Sequence, residues 1–93
     1  DLTSTIVYRR EDIARVADTL LFFNNIEASF VVGKIGKDTV GISARSLGNY
    51  EISKILEKLG GGGSNYNGAA IFHDVPISKV EQMLKNVIKE MGE

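Results

Sequence analysis

Leu59-Gly60-Gly61-Gly62-Gly63-Ser64 is the stretch on which the fold turns. Glycine loses more backbone freedom on folding than any other residue, so four in a row are costly to order. Three readings compete. Gly60 to Ser64 spell a common flexible linker unit. Alternatively, Gly60 stops a helix and a loop follows. Or successive bare N–H groups line a concave cradle for an anion, where side chains would block a phosphate. The flanking sequence has to decide.

Just upstream, Ile52, Ile55, Leu56 and Leu59 form an apolar stripe at helical spacing. Asn49 suits the N-cap of that helix, and Gly60 stands where a C-terminal glycine cap belongs. Downstream, Gly68 to His73 reads as a strand whose small residues allow close backbone approach. Asp74-Val75-Pro76 ends it. Ser78 with Glu81 fits a capping box, and Val80, Met83, Leu84, Val87, Ile88 and Met91 define a last helix.

Toward the N-terminus, Ile26 to Gly33 and Thr39 to Arg45 alternate as strands around a Gly36-Lys37-Asp38 turn, the pattern of an antiparallel hairpin. On the second strand Val40, Ile42 and Ala44 face one way; Gly41, Ser43 and Arg45 face the other. Ile13, Val16, Ala17, Leu20 and Leu21 predict a helix from about Arg10 to Asn24, and Thr5 to Tyr8 is β-prone. The expected architecture is a two-layer α+β domain, a small mixed sheet with about three helices packed on it.

The chain has 93 residues, the size of one domain. It has no cysteine, which excludes disulfides and thiolate metal sites. Its net charge of −1 argues against bulk electrostatic binding to duplex nucleic acid, though not against a small nucleotide held by local charges. No apolar run is long enough to span a membrane. The first residue is Asp1, so the chain is expected to be excised from a larger protein.

The only histidine, His73, has one nearby acid, Asp74, which makes a poor metal site. Gly33-Lys34-Ile35-Gly36-Lys37-Asp38 has P-loop residue types at too short a spacing, with no Ser or Thr after the lysine. Ala44 to Asn49 is more promising. It runs from a strand end through a glycine turn toward a helix start, bringing free N–H groups and Arg45 to one place. The alternative for Arg45 is a snorkelling surface side chain. A helix of about ten residues is roughly 15 Å long, so its two ends could together hold two phosphates but not one.

Ile42-Ser43-Ala44-Arg45-Ser46-Leu47-Gly48, an amphipathic helix, Lys58-Leu59-Gly60-Gly61-Gly62-Gly63 and Asn67-Gly68-Ala69-Ala70 follow one another in this chain. In that order they resemble the DHH-associated (C-terminal, type 1) domain of DHH-family phosphoesterases. Ile13 to Leu21 and Ile26 to Val32 resemble the cyclic-di-AMP phosphodiesterase branch most closely. The likeness runs from about Asp12 to Leu84. It favours a folded glycine loop over a linker, because sequence on both sides falls in one domain.

The resemblance implies a substrate-binding domain. Arg45 and Ser46 would contact substrate, Gly60, Gly61, Gly62 and Gly63 would supply backbone donors, and Ser64 and Asn67 would complete the set. No catalytic or metal-ligating residue is expected in this chain. Manganese is expected in a DHH domain upstream in the same polypeptide. The implied ligand is a cyclic dinucleotide or short oligonucleotide. The implied location is the cytoplasm, with any membrane anchor of the parent outside this chain, and oligomerisation stays open. One position departs from the family: a histidine normally follows the glycine run, and Ser64 stands there. Serine can donate a hydrogen bond but cannot carry charge. Two alternatives follow: a non-catalytic single-stranded RNA or tRNA binder stacking bases on Tyr50 and Tyr66, and a structural or dimerising unit with a degenerate site.

Overall fold

A computed structural model describes residues 3–8, 28–47 and 51–91, the first span as backbone alone. Among the described residues, five strands form one sheet: β1 (Thr3–Tyr8), β2 (Ala28–Gly36), β3 (Thr39–Ser46), β4 (Gly62–Gly63) and β5 (Asn67–His73). Their spatial order is β1-β2-β3-β5-β4. β1 runs parallel to β2 and the other pairs are antiparallel, so the sheet is mixed. Two helices are described, α1 (Ile52–Lys58) and α2 (Ile77–Met91). The helix expected from about Arg10 to Asn24 lies outside the described residues, as do Gly48, Asn49 and Tyr50.

Register fixes which side chains share a face. Phe30 stands opposite Ala44, and Val32 opposite Ile42, which in turn faces Ala70. These residues, with Ala28 and Val40, are buried in one core with Ile52, Ile55, Leu56 and Leu59 of the α1 segment and Val80 and Leu84 of α2. The stripe that predicted each helix is therefore the face that packs on the sheet. On the opposite face, Ser29 and Val31 are also fully buried, while Asn67, Ala69 and Ile71 at the β5 side are exposed.

Two helix starts differ from expectation. The cap position of α1 is Glu51, not Asn49, and no side chain caps it. The helix starts at Ile52, the first residue of its stripe and a fully buried one, while the Glu51 carboxylate lies 3.5 Å from Lys54 Nζ. α2 starts at Ile77, which puts Ser78 inside the helix rather than at its cap. Pro76 carries φ already set for a helix entry, and its carbonyl accepts the amides of Lys79 (3.0 Å) and Val80 (3.1 Å). Glu81 is then free to reach Lys85, at 3.5 Å.

Candidate functional site

The glycine run is ordered, and each glycine has a different job. Gly60 takes φ 87, the left-handed conformation that closes a helix. Its amide donates to Glu57 O (3.1 Å), and the amide of Gly61 donates to Leu56 O (2.7 Å). This is a Schellman end, and it commits two of the four amides to helix carbonyls. Gly61 then passes so close to β5 that a Cβ there would overlap the Ala69 carbonyl and lie 2.7 Å from Ala70 Cβ. Gly63 has φ 152 and lies as tightly against Asn67 and Gly68. Gly62 differs from all three. It has no left-handed φ, and an added Cβ would meet nothing within 4 Å.

The run thus becomes an edge strand, with Gly62 opposite Ala69 and Gly63 opposite Gly68. No propensity signal announces this, since glycine is depleted in strands. What permits it is the small-residue sequence Gly68-Ala69-Ala70 on the neighbour. Ser64 closes the connection. Its amide donates to Asn67 O (2.7 Å), and its Oγ accepts the amides of Tyr66 (3.1 Å) and Asn67 (3.2 Å).

Arg45 lies on the face away from α1 and α2. In the sheet it stands opposite Ser29 on one side and Asn67 on the other. Just past the end of β4 the Ser64 amide donates to Asn67 O, so Arg45 on β3, Asn67 on β5 and Ser64 in the β4–β5 connection follow one another in a row. Two strand spacings, about 10 Å, separate the ends of that row. The half-buried guanidinium donates from Nη1 to its neighbour's carbonyl, Ala44 O, at 2.9 Å. Gly62 pairs with Ala69, one position further along on the same face as Asn67. The result is an exposed floor of small side chains beside an arginine, an amide and a hydroxyl.

Ser46 is placed differently. Neighbours in a strand face opposite sides, and Ser46 is 4% exposed on the helix side, opposite Ala28. Its amide donates to Tyr66 O (2.9 Å), tying the β4–β5 connection to the end of β3.

His73 stands opposite Thr39, six positions along β3 from Arg45, or about 20 Å. Among the described residues no group of three or more His, Cys, Asp or Glu could hold a metal ion, so the donor set does not fit one. No helix of the described residues is long and apolar enough to cross a membrane. A cavity of about 580 Å³ opens at the His73 end, lined by Lys34, Asp38, Thr39, Val40 and Asp74 to Ile77. Sequence reading gave no hint of it, because its walls come from two segments far apart in the chain, the end of the β2–β3 hairpin (Lys34 to Val40) and the β5–α2 connection (Asp74 to Ile77).

A family model, the DHHA1 domain, matches residues 2–93. The chain is 49% identical over 81 residues to the cyclic-di-AMP phosphodiesterase GdpP of Geobacillus thermodenitrificans, covering 87% of this chain and 12% of that protein. It is 44% identical over 75 residues to the cyclic-di-AMP phosphodiesterase PdeA of Listeria monocytogenes, covering 81% of this chain and 11% of that protein. The chain therefore spans only about one-eighth of the length of these relatives. The C-Ala domain of alanyl-tRNA synthetase from Aquifex aeolicus shares the fold, with a TM-score of 0.61 at 12% identity over 86% of this chain and 89% of that one.

Proposed function

This chain belongs to the DHHA1 domain family, and from that premise we propose that it grips the nucleotide and phosphate of a dinucleotide for a phosphodiesterase. The substrate is cyclic di-AMP or a short linear dinucleotide, the former being what its relatives are named for. The observation that carries this reading is the row of Arg45, Asn67 and Ser64 on the exposed face beside Gly62.

In this reading a phosphate oxygen takes the place of Ala44 O as acceptor for the Arg45 guanidinium. A hydrogen bond to a charged group contributes roughly 1.5–3 kcal/mol. The planar guanidinium can also bind two oxygens at once, which sets the orientation of the phosphate. Asn67 and Ser64 add neutral donors further along the row. Gly62 leaves the floor bare, so the ligand can approach the backbone of β4. Ser46 acts indirectly, by holding the β4–β5 connection in place. We assign hydrolysis to manganese in a DHH domain upstream in the same polypeptide, in the cytoplasm; in support of a further domain, this chain spans only about one-eighth of the length of the relatives.

The test is kinetic. In the full-length protein, Arg45→Ala should raise KM for the dinucleotide about 10- to 100-fold, the factor that 1.5–3 kcal/mol supplies, and leave manganese affinity unchanged. Gly62→Ala should fold normally and also raise KM, because its methyl group occupies the floor. Equal kinetics for parent and Arg45→Ala would remove Arg45 from the site. An oligonucleotide bound with a steep salt dependence, where the dinucleotide shows none, would favour an RNA-binding role instead.

A further inference from the structure

We infer that the cavity at the His73 end of the sheet is a second binding site, one that takes a small zwitterion with an apolar body: a free amino acid or dipeptide with an aliphatic side chain. Its volume of about 580 Å³ falls in the range of small-molecule sites. It lies about 20 Å along β3 from Arg45, so the inference stands apart from the dinucleotide reading. The floor of the cavity is apolar. Val40 is 3% exposed and belongs to the core, and Val75 and Ile77 pack half-buried against that core. Covering such a floor with an aliphatic side chain supplies affinity but no direction.

Direction comes from three charged side chains in the lining. Lys34 stands opposite Val40 in the β2–β3 ladder and so shares its face of the sheet. Asp38 and Asp74 come from the positions just past the Thr39–His73 pair, and the Asp74 amide donates to Asp38 O at 2.8 Å. Both aspartates have left-handed backbones, φ 56 and 60, which this residue type tolerates and this bond holds in place. The Thr39 hydroxyl is already committed, donating to Lys37 O at 3.0 Å. Among the described residues, neither carboxylate nor the Lys34 ammonium has an ion pair. Charges of opposite sign thus line one cavity without neutralising each other, and a ligand that satisfies them all carries both signs. An α-amino acid does. Its ammonium is offered two carboxylates, its carboxylate is offered Lys34, and its side chain has the floor of Val40, Val75 and Ile77. Charge-assisted hydrogen bonds are the stronger kind, so both ends contribute to selectivity. An inorganic ion of either sign would leave one wall unpaired and the apolar floor uncovered.

Equilibrium dialysis of radiolabelled leucine and leucyl-leucine against the full-length protein tests this. The competitors are leucinamide, which lacks the carboxylate, and N-acetylleucine, which lacks the ammonium. Leucine or the dipeptide should be retained, the tighter of the two giving the length of the ligand. Each analogue should compete about tenfold more weakly than leucine, the effect of one lost charged hydrogen bond. Asp38→Asn combined with Asp74→Asn should abolish the advantage of leucine over N-acetylleucine. Asparagine also accepts a left-handed backbone, so the melting temperature should stay that of the parent. Lys34→Gln should abolish the advantage over leucinamide. Arg45→Ala should leave retention unchanged, which keeps this result separate from that of the dinucleotide site. Analogues that compete as well as leucine would overturn the zwitterion. Retention that survives both sets of substitutions would place the amino acid elsewhere in the protein and overturn the cavity as its site. No retention of either ligand at millimolar concentration would overturn the inference outright.

Discussion

Gly61→Ala should lower the melting temperature by roughly 15 °C, while Gly62→Ala, one residue along in the same glycine run, should leave it unchanged or raise it by a few degrees. The contrast comes from what a single methyl group meets. At Gly61 it would overlap the carbonyl oxygen of Ala69 and stand 2.7 Å from Ala70 Cβ and 2.8 Å from Ala70 Cα. Two of those three atoms are backbone of β5, which is held on its other side by β3 and cannot retreat. Overpacking against a flexible side chain costs about 1–3 kcal/mol, and against fixed backbone the upper figure applies. For a domain of this size each kcal/mol moves the midpoint by about 4–8 °C.

At Gly62 the methyl group would meet nothing, and the backbone is not left-handed. There alanine restricts the unfolded chain without straining the folded one, a gain of about 0.4–1 kcal/mol. Thermal melts followed by circular dichroism measure both. Equal midpoints for the two variants would mean that β4 does not pack on β5 as described.

The second large effect is at Leu56. Leu56→Ala should cost about 3–4 kcal/mol, because the side chain is fully buried between α1 and the sheet and its removal leaves a cavity. Leu56 also lies directly over Gly68: a Cβ at Gly68 would be 3.1 Å from Leu56 Cγ and 3.3 Å from Cδ2. Gly68→Ala alone should therefore cost about 1 kcal/mol as the leucine is pushed aside. In the double variant the new methyl group occupies part of the space the leucine vacated. The two costs should fall short of additivity by about 1 kcal/mol in a double-mutant cycle from urea unfolding. Strict additivity would show that the two positions do not share that space.

Much of the fold was legible. The stripe Ile52, Ile55, Leu56, Leu59 and the run from Val80 to Met91 located both described helices, because helical periodicity records which face meets a core. Alternation in β2 and β3 gave the hairpin and the side of the sheet on which Arg45 falls. Gly60 as a helix cap was legible for the same kind of reason: a left-handed residue after a helix is a local requirement. The helix starts were less legible. Asn49 and Ser78 have good capping chemistry, yet burial of Ile52 and the set φ of Pro76 decided where the helices begin.

The residues proposed for the site were named from the sequence, but their arrangement was not. Arg45, Ser46, the glycines, Ser64 and Asn67 could be named from the sequence. That Arg45 and Ser46 face opposite sides follows from strand alternation once β3 is known to extend through Ser46. That Gly60 and Gly61 commit their amides to the helix while Gly62 stays bare depends on where β5 lies.

By itself the sequence determined the periodic elements, the two-layer α+β class and the identity of the glycine that ends α1, since each rests on the conformational preferences of residues a few positions apart. Only the tertiary structure decided that Gly62 and Gly63 form an edge strand and that Arg45, Asn67 and Ser64 share a row. Those facts depend on hydrogen-bond register between strands separated by a helix and a turn, and register is set by packing across the sheet rather than by any local preference of the chain.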